Sequence, residues 1–337
     1  MGGHGSWAQI VRARAIGAAS VVLTRLPERP LLAGADSVGE LWYRTTPDRA
    51  AMARANLRRV CGWLAANGRG PARARRAATD ARALESLVRA AYRHQARYYL
   101  ELLRAPGLTA AYVDARLEKL TPKVLAESEA DARGVIYTGA HLGPLELPAW
   151  IAGHGHRPPV VGVMETVEDP ELQAWFARSR ASTGIRLVGL DGAHRELRAA
   201  IDAGGAALVV VDRDVTGGGT PVELFGSPAS LPSGAAVLAA ETGARIFFEA
   251  MWRVGDGRYR GWMREIPVPA EGRLRSRVTA VLEATARAIE DAVAEAPEQW
   301  WAVFFPVWPD LRPGVPDDAG AAGADAGAAG AAVERRP

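Results

Sequence analysis

From Gly134 onward the chain alternates short strand-like segments with helix-like ones, and this alternation limits the fold more than any other feature. Strand-like pieces at 134–138, 159–164, 186–189 and 206–211 are each rich in Val, Ile or Leu. Helix-like pieces near 144–153, 169–184 and 193–203 follow the first three. A short strand near 222–225 and a helix near 233–243 come next, then two strands at 245–253 and 259–266 that read as a hairpin around Gly255-Asp-Gly257. A long helix at about 275–295 closes the pattern. Strands separated by helices require crossovers, and these produce a mainly parallel sheet flanked by helices. Before this region, residues 7–26, 48–67 and 77–104 read as helices. In the third, Leu84, Leu87, Val88, Ala91, Tyr92, Tyr99 and Leu102 recur at helical spacing. The expected organisation is a helical, membrane-associating part over 1–120, an α/β core over 121–312 and a disordered Gly-Ala-Asp-rich tail over 313–337.

The strand at 134–138 runs into His141-Leu-Gly-Pro-Leu-Glu146. This places an imidazole at the carboxyl end of a strand, where α/β sheets put their chemistry. Histidine can take a proton near neutral pH. The Gly-Pro turn lets Glu146 lie near His141, either orienting it or organising the turn; a solvated His with Glu146 favoured by the helix dipole fits the same spacing. Other chemistries are poorly served. Net charge is only +3 and does not suit a nucleic-acid polycation. Cys61 is the sole cysteine, so there is no intrachain disulfide and no cysteine metal site. His154 and His156 have no third ligand at metal spacing and read as a surface loop. Asp212 and Asp214 look like metal ligands but read as structural, with Asp214 capping the Gly-rich loop at 217–219. There is no Gly-x-Ser-x-Gly elbow, which argues against a hydrolase with a serine nucleophile.

Across residues 50 to 310 an ordered set of motifs resembles the late lipid A biosynthesis acyltransferases and, more closely, the phosphatidylinositol mannoside acyltransferases of the glycerolipid acyltransferase superfamily. The set comprises Thr138-Gly-Ala-His141 through Glu146, Val163-Met-Glu165, Ala177-Arg-Ser-Arg180 with Thr183-Gly184, and Val211-Asp-Arg-Asp214. It continues through Val222-Glu-Leu-Phe-Gly226, Leu231-Pro-Ser-Gly234, Glu241-Thr-Gly243 and Pro297-Glu-Gln-Trp-Trp301 with Trp308. The resemblance implies that His141 is a general base working with Glu146. It brings Glu165 and Glu223 to neighbouring strand ends, where one of them would orient the imidazole. It also implies that Arg180 faces the site and binds a phosphate or stabilises an oxyanion. Ser233 and Gly234 open a helix whose free N–H groups could hold an anion. The family's usual Asn and aromatic after the glycine are replaced by Pro144 and Leu145, a change that bears on the acceptor.

The implied reaction moves a fatty acyl group from acyl-CoA or acyl carrier protein to a hydroxyl of a membrane glycolipid. The acceptor is a phosphatidylinositol mannoside or a similar glycolipid, with a lipid A precursor as the alternative. A non-catalytic lipid-binding member of the fold is a further alternative, against which the intact His141/Glu146 pair argues. No metal or other cofactor and no nucleic acid is called for. No secretory signal and no uninterrupted apolar run long enough to span a membrane are expected. The stretch Trp7–Leu26 is either a core-facing first helix or an interfacial one. With the arginines of 69–76 it would attach the protein peripherally to the cytoplasmic face of the cell membrane, against anionic lipid. The Trp300–Trp308 aromatic cluster is expected to pack as a C-terminal lid.

Overall fold

A computed structural model describes residues 6–155, 159–165 and 167–312. The tail expected to be disordered, and His156, lie outside these residues. The N-terminal part is helical: α1 (Trp7–Leu23), α2 (Glu28–Thr45), α3 (Pro47–Ala66), α4 (Ala72–Arg76), α5 (Ala81–Arg104) and α6 (Ala110–Arg116). There follow β1 (Leu117–Lys119), α7 (Pro122–Glu129), β2 (Val135–Gly139), α8 (Glu146–Gly155), β3 (Val160–Val163) and α9 (Pro170–Ala181). Next come β4 (Arg186–Val188), α10 (Ala193–Asp202), β5 (Ala206–Val210), β6 (Thr220–Leu224), β7 (Ser227–Leu231) and α11 (Gly234–Thr242). The last regular elements are β8 (Arg245–Gly255), β9 (Arg258–Ile266) and α12 (Leu274–Glu295), with three single 3-10 turns between Pro297 and Leu311.

Seven strands form one sheet in the order β1-β9-β8-β2-β5-β3-β4. All pairings in it are parallel except β8 with β9, which form the expected hairpin. The expected α/β class, with a mainly parallel sheet and a helical N-terminal part, is what is found. The strand near 222–225 instead pairs with β7 in a separate two-stranded ribbon.

Helix α2 has no counterpart in the sequence reading. It carries Pro30, Gly34 and Gly39, which punctuate loops more often than helices. Pro30 falls in the first turn, where its missing N–H has no intrahelical acceptor to lose. Gly39 lies where α2 crosses α5. A Cβ there would stand 2.6 Å from the Arg93 Cα and 2.7 Å from the Tyr92 carbonyl oxygen, so only glycine lets the two backbones approach this closely.

The two faces of the sheet differ. Ile136, Phe248 and Trp252 point towards α3, α5, α11 and α12 and join Leu57, Leu64, Tyr92 and Ile289 in the main core. The helical part is thus packed directly on the sheet. Asn56, fully buried on α3, donates to the carbonyls of Val303 and Phe305 at 2.8 Å each and ties the C-terminal turns to it. The other face carries Val135, Tyr137, Phe247 and Met263 under α7 and α8.

On this second face Glu249 lines a hollow of about 40 Å³ with Leu125, Pro148, Ile151, Met251, Met263 and Lys119. Burial pushes its pKa up to about 8 from an ordinary 4.5. The fold therefore favours the neutral acid. Stability from this group is complete below about pH 4.5 and is lost as pH rises through about 8. Glu249→Gln, which mimics the neutral form, should be more stable than the parent at pH 8 and equal to it at pH 4 in chemical denaturation. An equal denaturation midpoint at both pH values would contradict this placement.

Candidate active site

The strand register builds the centre. Strands β2 and β5 are adjacent and parallel, with Gly139 opposite Val210. Continued by two residues on each chain, the same offset brings His141 opposite Asp212. The Val211 N–H still bonds the Gly139 carbonyl at 3.0 Å. Beyond it the Asp212 carboxylate accepts from the His141 backbone N–H at 2.9 Å and lies 2.6 Å from the His141 Nδ1. The Trp300 indole N–H donates to the same carboxylate at 2.7 Å. Burial opposes the Asp212 charge, but His141 and these hydrogen bonds outweigh it and hold its pKa below the usual carboxylate range. An ionised carboxylate can only accept a hydrogen bond, so it favours the tautomer with the proton on Nδ1, whose Nε2 carries the free lone pair.

The turn after His141 is held from the C-terminal side. Leu142 forms an isolated bridge with Trp300. The Trp301 N–H bonds the His141 carbonyl at 2.7 Å, and the Gly143 N–H bonds the Gln299 carbonyl at 3.1 Å. Gly143 has φ of 62°, and a Cβ there would meet the Met251 carbonyl oxygen at 2.3 Å, so both its conformation and its space demand glycine. The Trp301 ring stands 4.8 Å from the imidazole, edge to face. Trp300 and Trp308 are fully buried, and the Trp308 N–H bonds the Leu224 carbonyl at 3.1 Å. The aromatic cluster is therefore packing and support for the histidine turn.

Glu146 does not reach the imidazole. It is fully buried in the first turn of α8 and accepts from Arg180 on α9 at 2.8 Å. Burial opposes the Arg180 charge, but Glu146 and the neighbouring Tyr98 hold its pKa above the ordinary arginine value. The second Glu146 oxygen and the Arg180 Nε are buried without a hydrogen-bond partner among the described residues. Tyr98, on α5, also packs against Trp301 with ring centroids 5.8 Å apart. It links the Glu146–Arg180 pair to the His141 neighbourhood.

The structure corrects several readings of individual residues. The carboxylate on His141 is Asp212, for which the sequence predicts only a structural role. Glu165 is instead an exposed partner of Arg213 at 3.3 Å, and that guanidinium lies 3.9 Å from the Phe305 ring centroid. Glu223 is exposed on the β6–β7 ribbon, opposite Pro228. Ser233 makes no side-chain capping bond at the start of α11, and neither it nor Gly234 lines the cavity at His141. Asp214 accepts from the N–H groups of Gly217 and Gly219 at 2.9 and 3.0 Å, the loop-capping geometry expected of it. His154 stacks on Trp150 at 4.1 Å. Cys61 is buried, with its thiol pushed up to about 12, and is inert as a nucleophile. No group of three or more metal-ligating side chains occurs among the described residues.

The arginines of 69–76 are largely engaged within the protein. Arg69 pairs with Asp291, Arg73 with Glu298 and Arg76 with Asp80, while Arg75 donates to the Gly70 carbonyl.

A histidine backed by a buried carboxylate has the chemistry to take a proton from an attacking group. Comparison with known proteins gives the class of reaction. The model of a family described as bacterial lipid A biosynthesis acyltransferase matches residues 10–306; the chain belongs to this family and is an acyltransferase. A phosphatidylinositol mannoside acyltransferase of Mycolicibacterium smegmatis is 27% identical over 230 residues, covering 66% of this chain and 73% of the relative. A protein of the same name from Mycobacterium tuberculosis is 26% identical over 232 residues, covering 66% and 71%.

Two substitutions separate the two acidic roles. Asp212→Asn should lower turnover by about 10²–10⁴-fold with little loss of folding, because the imidazole loses the carboxylate that sets its tautomer. Glu146→Gln should act chiefly on stability, by on the order of 3 kcal/mol, since it strips a buried arginine of its charge partner. Kinetics and denaturation of both variants check this; the reverse pattern would reassign the roles.

Proposed function

We propose that the protein transfers a fatty acyl group from an acyl thioester, acyl-CoA or acyl carrier protein, to a hydroxyl of a membrane glycolipid, with His141 as general base. The observation that carries this reading is the His141–Asp212 pair, set at the ends of two neighbouring parallel strands. The His141 Nε2 takes the proton of the acceptor hydroxyl as its oxygen attacks the thioester carbonyl carbon. The tetrahedral intermediate carries its negative charge on the former carbonyl oxygen. When it collapses, the C–S bond breaks and the thiolate leaves, taking the proton back from the imidazolium. Ester and free thiol are the products, and His141 is regenerated. Arg180 is held on Glu146 at 2.8 Å and, like Ser233 and Gly234, does not line the cavity at His141, so no substrate contact is proposed for it.

The acceptor we favour is a mannosylated phosphatidylinositol or a similar glycolipid, in keeping with the names of the mycobacterial relatives. Attachment to the cytoplasmic face of the membrane is assigned to α1. No helix of the described residues is long and apolar enough to cross a membrane. Helix α1 buries Ala13 and Ser20 against its neighbours, and the Ser20 hydroxyl donates to the Leu103 carbonyl. It exposes Trp7, Val11, Val21 and Val22, with Arg14 and Arg25 beside them. Apolar side chains flanked by cations suit an anionic interface. The basic contribution thus moves from residues 69–76 to α1 itself.

Thiol release from palmitoyl-CoA, with lipid products followed by mass spectrometry, tests the reading. Release should depend on added mannosylated phosphatidylinositol and should yield its acylated form. His141→Ala should lower it by about 10²-fold or more. Equal release without acceptor would indicate a hydrolase, and acylation of a lipid A precursor alone would change the acceptor.

A further inference from the structure

Helix α5 supplies a polar wall to the active-site cavity that the chemistry above does not use. His94, Gln95 and Tyr98 lie on one stretch of this helix and share a cavity with His141, Trp301 and Glu298. The space is about 10 Å³, room for about one oxygen atom with its hydrogen. Two polar atoms on this wall are buried and without hydrogen-bond partners among the described residues, the His94 Nδ1 and the Gln95 Nε2. The Gln95 carbonyl oxygen is engaged by Arg49 at 3.2 Å, which leaves only its amide nitrogen available. Unsatisfied buried polar groups cost stability, and beside a reacting centre such a cost is commonly recovered when substrate binds.

The electrostatics indicate what would satisfy them. Burial, reinforced by Arg253, Arg97, Arg93 and Arg73, pushes the His94 pKa well down and keeps its ring neutral. Arg253 is matched by Glu101, Arg97 by Asp36, and Arg73 by Glu298. Arg93 lines a separate surface recess with Asp36 and Glu40. The one arginine that lines the cavity, Arg253, is thus matched by Glu101, and Arg49 is turned onto the Gln95 carbonyl and the Trp42 and Phe304 rings, so the lining suits a neutral polar group better than a phosphate. A neutral imidazole can both donate and accept, and so can a sugar hydroxyl.

We propose that His94, with the Gln95 amide beside it, positions the acceptor by hydrogen-bonding a hydroxyl of its sugar headgroup next to the one that His141 deprotonates. This deepens the proposed function and rests on it. His94 is a positioning residue and takes no part in the proton transfer. It gives the site preference for a polyhydroxylated acceptor over a plain alcohol, since an acceptor lacking the second hydroxyl leaves the wall unsatisfied.

The test measures kcat/KM for mannosylated phosphatidylinositol and for 1-octanol with palmitoyl-CoA, and takes their ratio. A ratio cancels any loss of folded enzyme. In His94→Phe, which keeps a ring and loses the hydrogen bonds, the ratio should fall about tenfold, chiefly through KM of the glycolipid. In His94→Asn, whose amide reaches the position of Nδ1, much of it should return. An unchanged ratio in His94→Phe, or an equal fall in both variants, would overturn the role of His94. A parent protein that acylates 1-octanol but not the glycolipid would overturn the proposed acceptor and this inference together.

Discussion

The buried Asp212 carboxylate is the point on which the site depends. It receives hydrogen bonds from the His141 backbone and the Trp300 indole, and its other oxygen faces the imidazole at 2.6 Å. A carboxylate taken out of water is costly unless it is paired and fully hydrogen-bonded. Here one side chain joins three segments far apart in the sequence: the end of β2, the end of β5 and the C-terminal turns. The cost of burying it is offset by interactions that also set the direction of the histidine ring.

The second acid of the turn serves another purpose. Glu146 and Arg180 tie the start of α8 to the last turn of α9, each charge lying at the helix end whose dipole favours it. Tyr98 carries that pair across to Trp301 and the helical N-terminal part. That part therefore belongs to the site as well as to the fold. It supplies α5, and with it one wall of the cavity in which His141 stands.

Much of this could be read from the residues alone. The strand-helix alternation specified the sheet, because each crossover has a period of its own. His141 stood out because a histidine after a strand and before a helix is placed where chemistry occurs. Helix α2 was hidden because Gly39 and Pro30 mark turns unless one knows that another backbone crosses there. Asp212 was hidden for a related reason. A sequence shows that an acid follows a strand, but not which strand lies beside it. Only the order that puts β5 against β2 reveals that Asp212 meets His141, whereas Glu165 and Glu223 end elsewhere. Trp300 was legible as an aromatic to be packed, while its N–H found a use that only the folded chain shows.

The state of the His141 ring decides between this description and its competitors. With ¹⁵N-labelled histidine, the imidazole nitrogens of the folded protein can be assigned by magnetic resonance at a pH high enough for the ring to be neutral. A pyrrole-type, protonated Nδ1 coupled to Asp212, together with a pyridine-type Nε2, is the result expected of a base held by that carboxylate. A ring protonated on Nε2, with a bare Nδ1, would contradict it.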